Sequence, residues 1–387
     1  MESGESNAEL FLRGKSLPRV IGDVTGPEPG PTVIITGGLH GNEPAGVLAA
    51  LELMQGLDEK REVLRGRVVA FSGNRPALAR GVRFLERDLN RRWHPLELDA
   101  LSLADRATLA SEDAEQRDLL DAFLALETHN GQLAFLDLHT TSGTSEPFVC
   151  FADTLANRRV GLGLPVPAIL GLEETIDGSM LGWCADRGHL AVAFEAGKHD
   201  DPRAHARHLA ALWIMLVELG CLDASDVPDL EPHRALLATS ACRGPRVVEV
   251  RHRHVVSPED EFSMLSGFSS FDRVGEGEVV AVDRRGPIRV PYAGLILMPR
   301  YQGQGEDGYF IVRELAPFWL RASGVLQRLP AGRMLSLLPG VARESDSDRL
   351  VVDPDAQRSF TTPLMHLCGY RRRVGVPDEV VFTRRIS

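Results

Sequence analysis

Short, unbroken apolar runs recur along the first half of the chain, and each stops abruptly at a glycine or a charged residue. Thr32-Val33-Ile34-Ile35-Thr36 is the first, ending at Gly37-Gly38. A run this short and this rich in β-branched residues predicts a strand buried on both faces. Pro44 then opens an Ala/Leu-rich stretch to about Leu57, and proline in a first turn predicts a helix there. The first 30 residues are rich in Gly and Pro near Gly26–Pro31 and read as a lead-in loop. The alternation repeats. Arg67–Phe71, Leu133–Leu138 and Leu190–Phe194 read as strands, and Ala114–Leu126 and His205–Leu219 as helices. Strands alternating with helices argue for an α/β fold with a mixed, mostly parallel sheet flanked by helices. His139 and Glu195 fall at the ends of two such strands, where open α/β sheets place their ligands.

The pattern changes after Cys221. Residues 221–236 read as a linker. Arg246–Val250, Glu278–Val282 and Leu295–Met298 are short strands separated by glycines. The expected division is a first domain over 1–225, a smaller β-rich domain over 237–312, and a C-terminal extension over 313–387. Within the extension, Leu315–Leu329 reads as a helix and 342–359 as a polar loop. The basic end, with Arg371-Arg372-Arg373 and Arg384-Arg385, reads as a solvated face.

Composition narrows the function. The chain has 387 residues, 43 Lys+Arg against 54 Asp+Glu, and a net charge of −11. That balance argues against nucleic acid as a partner. No apolar run approaches the roughly 18 residues of a membrane span, and the acidic N-terminus lacks the pattern of a secretory signal. The five scattered cysteines fit free thiols in a reducing cytoplasm.

The residues that can carry chemistry lie at the strand ends. Gly37-Gly38-Leu39-His40-Gly41-Asn42-Glu43 places a histidine and a glutamate three residues apart in a glycine-flanked loop after a buried strand. The same spacing recurs at His94 and Glu97 without that setting. A hydrolytic zinc site takes three protein ligands, often His₂Glu, and leaves one position for water. His139 is the expected third ligand. Asp137 either orients a ligand imidazole or caps a turn. Glu195 follows four apolar residues, so burial would raise its pKa toward the range of a general base. Arg83 to Arg92 reads on composition as an ordinary charged loop.

These motifs, in the order G-G-x-H-G-N-E, R-x(4)-D-L-N-R, D-L-H-x-T and F-E-x-G, resemble the succinylglutamate desuccinylase/aspartoacylase family over roughly residues 30–220. Such enzymes are zinc-dependent amidohydrolases with a zinc-carboxypeptidase-like fold. The resemblance implies one zinc per chain on His40, Glu43 and His139. It implies Glu195 as general acid/base, Arg83 as the group that polarises the scissile carbonyl, and Asn90 with Arg91 as the clamp on the amino-acid carboxylate. It also implies a tyrosine from the second domain over the site. Tyr301 is the expectation, with Tyr309 close behind and a core or surface tyrosine as the competing reading.

One departure stands out. Aspartoacylase carries an arginine about ten residues before the catalytic glutamate. Here that position is Ala185, with Arg187 the nearest arginine, which argues against N-acetylaspartate as substrate. Arg75 is a nearby basic residue without an assigned role. The expected activity is cleavage of a small N-acyl amino acid. A metallocarboxypeptidase-like enzyme and a non-catalytic binding protein on the same fold are the alternatives. The acyl group, the amino acid and any homo-oligomer are left open.

Overall fold

A computed structural model of the chain describes residues 17–227, 229–329, 331–344, 349–353, 361–373 and 380–384. Most of the expected lead-in loop, Arg385, and the 345–348 and 354–359 parts of the expected polar loop lie outside the described residues. Eight strands run from Val20 to Val255: β1 (Val20–Thr25), β2 (Glu28–Gly37), β3 (Arg65–Ser72), β4 (Leu133–Thr141), β5 (Phe148–Phe151), β6 (Ala168–Leu170), β7 (Leu190–Lys198) and β8 (Val247–Val255). They join Asp307–Glu314, Gly294–Leu297 and Arg273–Val274 in one eleven-stranded sheet. Its order is β1-β3-β2-β4-β7-β5-β6-β8, then 307–314, 294–297 and 273–274. The centre is parallel, because β2 pairs with β3 and β4, and β4 with β7. β1 and β5 run antiparallel to their neighbours β3 and β7. The fold is thus the mixed α/β sheet with flanking helices that the alternation predicts.

Two apolar layers sandwich the sheet, and the period-2 alternation of the strands assigns side chains to them. Val33, Ile35, Leu136, Leu138, Val192 and Phe194 face one layer. Helices α1 (Pro44–Glu59) and α3 (Ala204–Leu219) cover it, through Leu53 and Leu57 and through Leu212 and Leu216. Ile34, Phe135, Ala191 and Ala193 face the other layer under α2 (Ser111–Asn130), which contributes Leu119, Leu120 and Phe123. In β4 and β7 the α2-side positions turn polar toward the strand ends. Phe135 gives way to Asp137 and then His139, and Ala193 to Glu195. The register pairs His139 with Glu195 directly across β4 and β7. Burying such groups is costly unless each is paired, so this end of the sheet is committed to a site.

The expected lead-in contains β1 and the start of β2, and the 221–236 stretch read as a linker holds a 3₁₀ turn and the start of helix α4 (Leu230–Ser240). Beyond it, Gly286–Arg289, Val279–Asp283 and Ser263–Met264 form a separate three-stranded sheet. The expected helix after Leu315 is present as Pro317–Leu326. The expected polar loop holds two strands, Val341–Arg343 and Arg349–Val352, in a four-stranded sheet with Val380–Arg384 and Tyr370–Arg373. Their packing partners are distant in sequence, which local composition does not report.

The basic end also needs correction. Arg371 is buried and pairs with Asp153 and, at 3.0 Å, with Glu174. Arg158 binds the same Asp153 from the other side. His366 sits 3.1 Å from Glu174 and 3.9 Å from Glu249. These contacts fasten the C-terminal part to the main sheet and its connections. Burial lowers the His366 pKa, but Glu174 and Glu249 overcome this and hold it at about 9. A raised imidazole pKa means that the folded chain holds the proton more tightly. The stabilisation is complete below about pH 6.5 and is lost as pH rises through about 9. It is on the order of 3 kcal/mol at most. Thermal unfolding is therefore expected to show a fall in midpoint between pH 6.5 and 9 that His366→Gln removes; an identical fall in the variant would contradict this linkage.

Candidate metal centre

The loop between β2 and α1 supplies two of the three expected ligands. It must leave a buried strand and enter a helix within six residues, and glycine makes this feasible. Gly38 has φ +75°, and a Cβ on Gly41 would lie 2.1 Å from the Ala77 carbonyl carbon. Glu43 is the last residue before α1, and Pro44 opens the helix. His40 and Glu43 point into the same space that His139 reaches from the end of β4.

The three side chains meet with complementary atoms. Glu43 Oε1 lies 2.9 Å from His40 Nδ1, and Glu43 Oε2 lies 3.0 Å from His139 Nδ1. Thr140 N–H donates to Glu43 Oε2 at 2.9 Å. One ligand atom from each residue falls within 4.8 Å of the others, and all three residues are buried. The outer nitrogens are engaged as well. His40 Nε2 lies 3.2 Å from Asp88 Oδ1, and His139 Nε2 lies 2.7 Å from Asp137 Oδ2. Thr36 Oγ1 donates to the other oxygen of Asp137 at 2.6 Å. A carboxylate behind each Nε2 fixes the orientation of both rings, as is expected behind metal-bound histidines. Asp137 thus bonds the His139 imidazole, the contact that its orienting reading requires.

The electrostatics fit a cation. Burial alone would raise the Glu43 carboxyl, but His40 and His139 hold it well below the usual carboxylate range. Asp88 is likewise held well below its ordinary value against its burial by Arg83 and His40. Burial disfavours charge on His139, yet Asp137 and Glu43 raise its pKa well above the usual value. Two nitrogen donors and one carboxylate, each with its geometry fixed from behind, make a donor set that suits Zn²⁺.

Glu195 faces this cluster from β7. Its Oε2 is buried without a hydrogen-bond partner. Burial first, and then Glu43 and Asp137, push its pKa up to about 8 despite the pull of His139. Arg83 lies on the other wall. Its Nε and Nη2 donate to Asp88 Oδ2 at 3.0 and 2.9 Å, and its Nη1 is 3.9 Å from Glu43 Oε1. Gly41 N–H donates to the Arg83 carbonyl at 3.0 Å, which ties the arginine segment to the ligand loop. The arginine, metal-ligand and Glu195 positions line one pocket together with Asn90 and Arg91.

The expected carboxylate clamp is present but engaged. Asn90 Oδ1 accepts from Met180 N at 2.8 Å. Arg91 Nη2 donates to Asp307 Oδ2 at 2.6 Å, and Nη1 to the Asn90 carbonyl at 2.8 Å. Tyr301 is not brought to the pocket. Its hydroxyl bonds the Leu265 and Phe268 backbone, and the side chain is exposed. Tyr309 is fully buried and stacks on His254 instead. The segment does reach the site, through Met298, Arg300, Gln302, Gly305 and Asp307. Arg75 pairs with Glu115 and Asp118, and Arg187 with Glu127, so neither enters the pocket. The second H-x-x-E also stays outside, with His94 near Asp177 and Glu97 on Arg92.

Sequence reasoning left several lining residues unassigned. His199 holds Thr140 Oγ1 at 2.7 Å and Gln302 Oε1 at 3.2 Å. It stands four residues after Glu195, close enough to have been a candidate. Asp88, the acid of the R-x(4)-D-L-N-R motif, lies behind the pocket wall on His40 and Arg83 and was likewise unassigned. Gln302 and Asp307 carry no local signal, since their partners lie more than 50 residues away in sequence.

An α/β sheet presents a buried His₂Glu cluster at its strand ends beside a carboxyl with an unpartnered oxygen, a candidate metal centre. Comparison with known proteins takes this further: residues 29–163 match the succinylglutamate desuccinylase/aspartoacylase catalytic domain, which bears out the resemblance read from the motifs. Curated succinylglutamate desuccinylases from Shewanella pealeana and Shewanella woodyi are each 28% identical, over 114 and 111 residues. Those stretches cover 30% and 29% of this chain and 32% of each relative, so the matched region spans about a third of their length. The fold is similar to a succinylglutamate desuccinylase/aspartoacylase from Rhodobacter sphaeroides, with TM-score 0.55 and 18% identity, covering 77% of this chain and 88% of the other. It is also similar to a product-bound ectoine utilization protein from Ruegeria pomeroyi, with TM-score 0.53 and 19% identity over 76% and 87% of the two chains. Among the described residues no helix is long and apolar enough to cross a membrane.

If Asp137 and Asp88 orient ligand imidazoles, Asp137→Asn and Asp88→Asn should each weaken zinc affinity by about 10- to 100-fold. Competition with a chromophoric chelator measures this. Unchanged affinity in both variants would argue against the arrangement.

Proposed function

We propose that the chain is a zinc-dependent amidohydrolase that cleaves the amide bond of an N-acyl amino acid, releasing a carboxylate and a free amine. The observation that carries this reading is the pairing across β4 and β7. It sets a buried, partner-free carboxyl oxygen of Glu195 beside the His40, Glu43 and His139 cluster. These residues fit zinc, which when bound supplies a Lewis acid and lowers the pKa of a coordinated water.

The chain's own groups account for the remaining chemistry. Glu195 takes the proton of the attacking water and passes it to the leaving nitrogen, a role for which a carboxyl pKa near neutrality is suited. Arg83 holds its guanidinium beside Glu43 and offers Nη1 to the oxygen on which negative charge develops. Asp88 keeps that guanidinium in place through two hydrogen bonds while also bonding His40.

A small substrate is favoured over a peptide by the way the 298–307 segment folds over the pocket. Gln302 Oε1 accepts from Asn42 Nδ2 at 3.0 Å, Gln304 Nε2 donates to the Phe84 carbonyl at 3.0 Å, and Asp307 holds Arg91. These contacts latch the far end of the sheet to both the ligand loop and the arginine segment, and they narrow the opening that a peptide groove would need.

Amine release from a panel of acetyl-, succinyl- and formyl-amino acids is the test. The zinc-loaded protein should turn over at least one member, and Glu195→Gln should lower kcat by about 10²- to 10⁴-fold while leaving zinc content unchanged. Turnover that survives Glu195→Gln would overturn the assigned role of this residue, and no turnover of any panel member would overturn the deacylase reading.

A further inference from the structure

Sixteen large apolar side chains are exposed among the described residues, and six of them fall between Phe318 and Leu337. The other ten are scattered along the chain, as exposed apolar residues ordinarily are. The six belong to helix α5 (Pro317–Leu326), the turn after it, and the short helix α6 (Gly332–Leu335) with the residues just beyond.

The inner side of this segment is fixed to the body. Leu320 packs on the main core, and Leu326, Ala331 and Leu335 on the core of the four-stranded sheet. Arg158 donates to the Leu320 carbonyl at 3.1 Å and to Ser323 Oγ at 2.8 Å. At 3.6 residues per turn, Phe318 and Val325 then stand on the outer side of α5. They are 68% and 58% exposed, and Leu329, just past the helix, is 47% exposed. Met334 and Leu337 project at 70% and 83%. Exposure this high marks ridges, not the lining of a groove.

The same stretch is basic in an acidic chain. Residues 315–343 hold Arg321, Arg328, Arg333 and Arg343 and no Asp or Glu, although the net charge of the chain is −11. Arg321, Arg328 and Arg333 are exposed, and none has a carboxylate within ion-pair distance among the described residues. The acids that bound the stretch face other arginines: Glu314 pairs with Arg273 at 3.3 Å and Glu344 with Arg349 at 3.4 Å. Arg384 adds a cation at the end of α5, where its Nη2 donates to the carbonyls of Gln327 and Leu329 at 2.5 and 2.7 Å.

Apolar ridges among unpaired arginines select between occupants. A two-fold contact between copies would set this patch against itself, with no carboxylate in it to receive the arginines. At an anionic bilayer, headgroup oxygens receive the guanidinium groups while the apolar side chains enter the acyl boundary. Trp319, 48% exposed and edge-on to Phe318, is a residue type that favours that boundary.

We propose that α5 and α6 form a docking surface for an anionic lipid bilayer, on which the chain rests peripherally. Among the described residues no helix is long and apolar enough to cross a membrane, so the contact stays on one leaflet. None of the residues of this surface lines the catalytic pocket, and the inference is independent of the deacylase reading.

Co-sedimentation of the full chain with phosphatidylcholine vesicles, with and without about a third phosphatidylserine, is the test. Binding to the anionic vesicles should exceed binding to the neutral ones by about tenfold or more at low salt and should fall as salt rises. Replacing Arg321, Arg328 and Arg333 together by Gln should remove that preference. Phe318→Ser with Leu337→Ser should weaken binding by about tenfold. Leu96→Ser with Leu103→Ser, at two residues equally exposed elsewhere, should leave it unchanged. Trp319 is the one exposed tryptophan of four, so anionic vesicles should shift the emission of the wild-type chain to the blue, and Trp319→Phe should abolish the shift. Equal binding to both kinds of vesicle, no binding to either, or binding that the arginine and Phe318/Leu337 variants retain would overturn the proposal. So would a dimer in solution that Phe318→Ser with Leu337→Ser dissolves while no vesicle is bound, which would give this face to a second copy of the chain.

Discussion

Glu43 is a buried carboxylate held between two imidazoles, and the rest of the site follows from keeping it there. A lone ionised carboxylate in such surroundings would cost several kcal/mol. The fold meets that cost with Nδ1 of His40, Nδ1 of His139 and the Thr140 amide. The imidazoles then need partners of their own, and Asp88 and Asp137 provide them. Asp88 in turn recruits Arg83, and Asp137 recruits Thr36. Each group satisfies the one before it, so the cluster is anchored outward into β2, β4 and the arginine segment. Glu195 is the exception: its carboxyl is left with an unpartnered oxygen inside a satisfied shell, and burial pushes its pKa up to about 8.

The sheet makes this possible because β4 and β7 change character along their length. Their inner halves pack Phe135 and Ala191 under α2, and their ends carry Asp137, His139 and Glu195 on the same face. Parallel pairing aligns these ends, and the glycine-lined loop after β2 brings His40 and Glu43 to the same level. The antiparallel strands added beyond β8 then return a segment, 298–307, over the opening. A single sheet therefore supplies both the floor and the cover of the pocket.

Much of this was legible in the chain. The unbroken runs ending at Gly37, His139 and Glu195 reported the buried strands, and glycines around His40 reported a loop able to turn two side chains inward. The three positions expected as ligands followed from these signals, and the structure brings them together. What local pattern could not carry were pairings across long separations. Arg371 looks like surface charge until Asp153 and Glu174 are placed beside it. The strands in the 342–359 stretch are only three and four residues long within polar sequence, and Arg349–Val352 is held by Val380–Arg384 alongside. In the 298–310 segment the aromatic residues drew the eye, yet Tyr301 spends its hydroxyl on a neighbouring loop and the polar residues around it face the pocket. Arg91 presents the same lesson, since its engagement by Asp307 spans more than 200 residues of sequence.

Anomalous diffraction at the zinc absorption edge, from crystals of the zinc-reconstituted protein, tests the central claim most directly. The account predicts one anomalous peak per chain, bounded by His40 Nδ1, His139 Nδ1 and a carboxylate oxygen of Glu43, on the side that Glu195 faces. A peak at any other cluster, or none at these three residues after reconstitution, would contradict it.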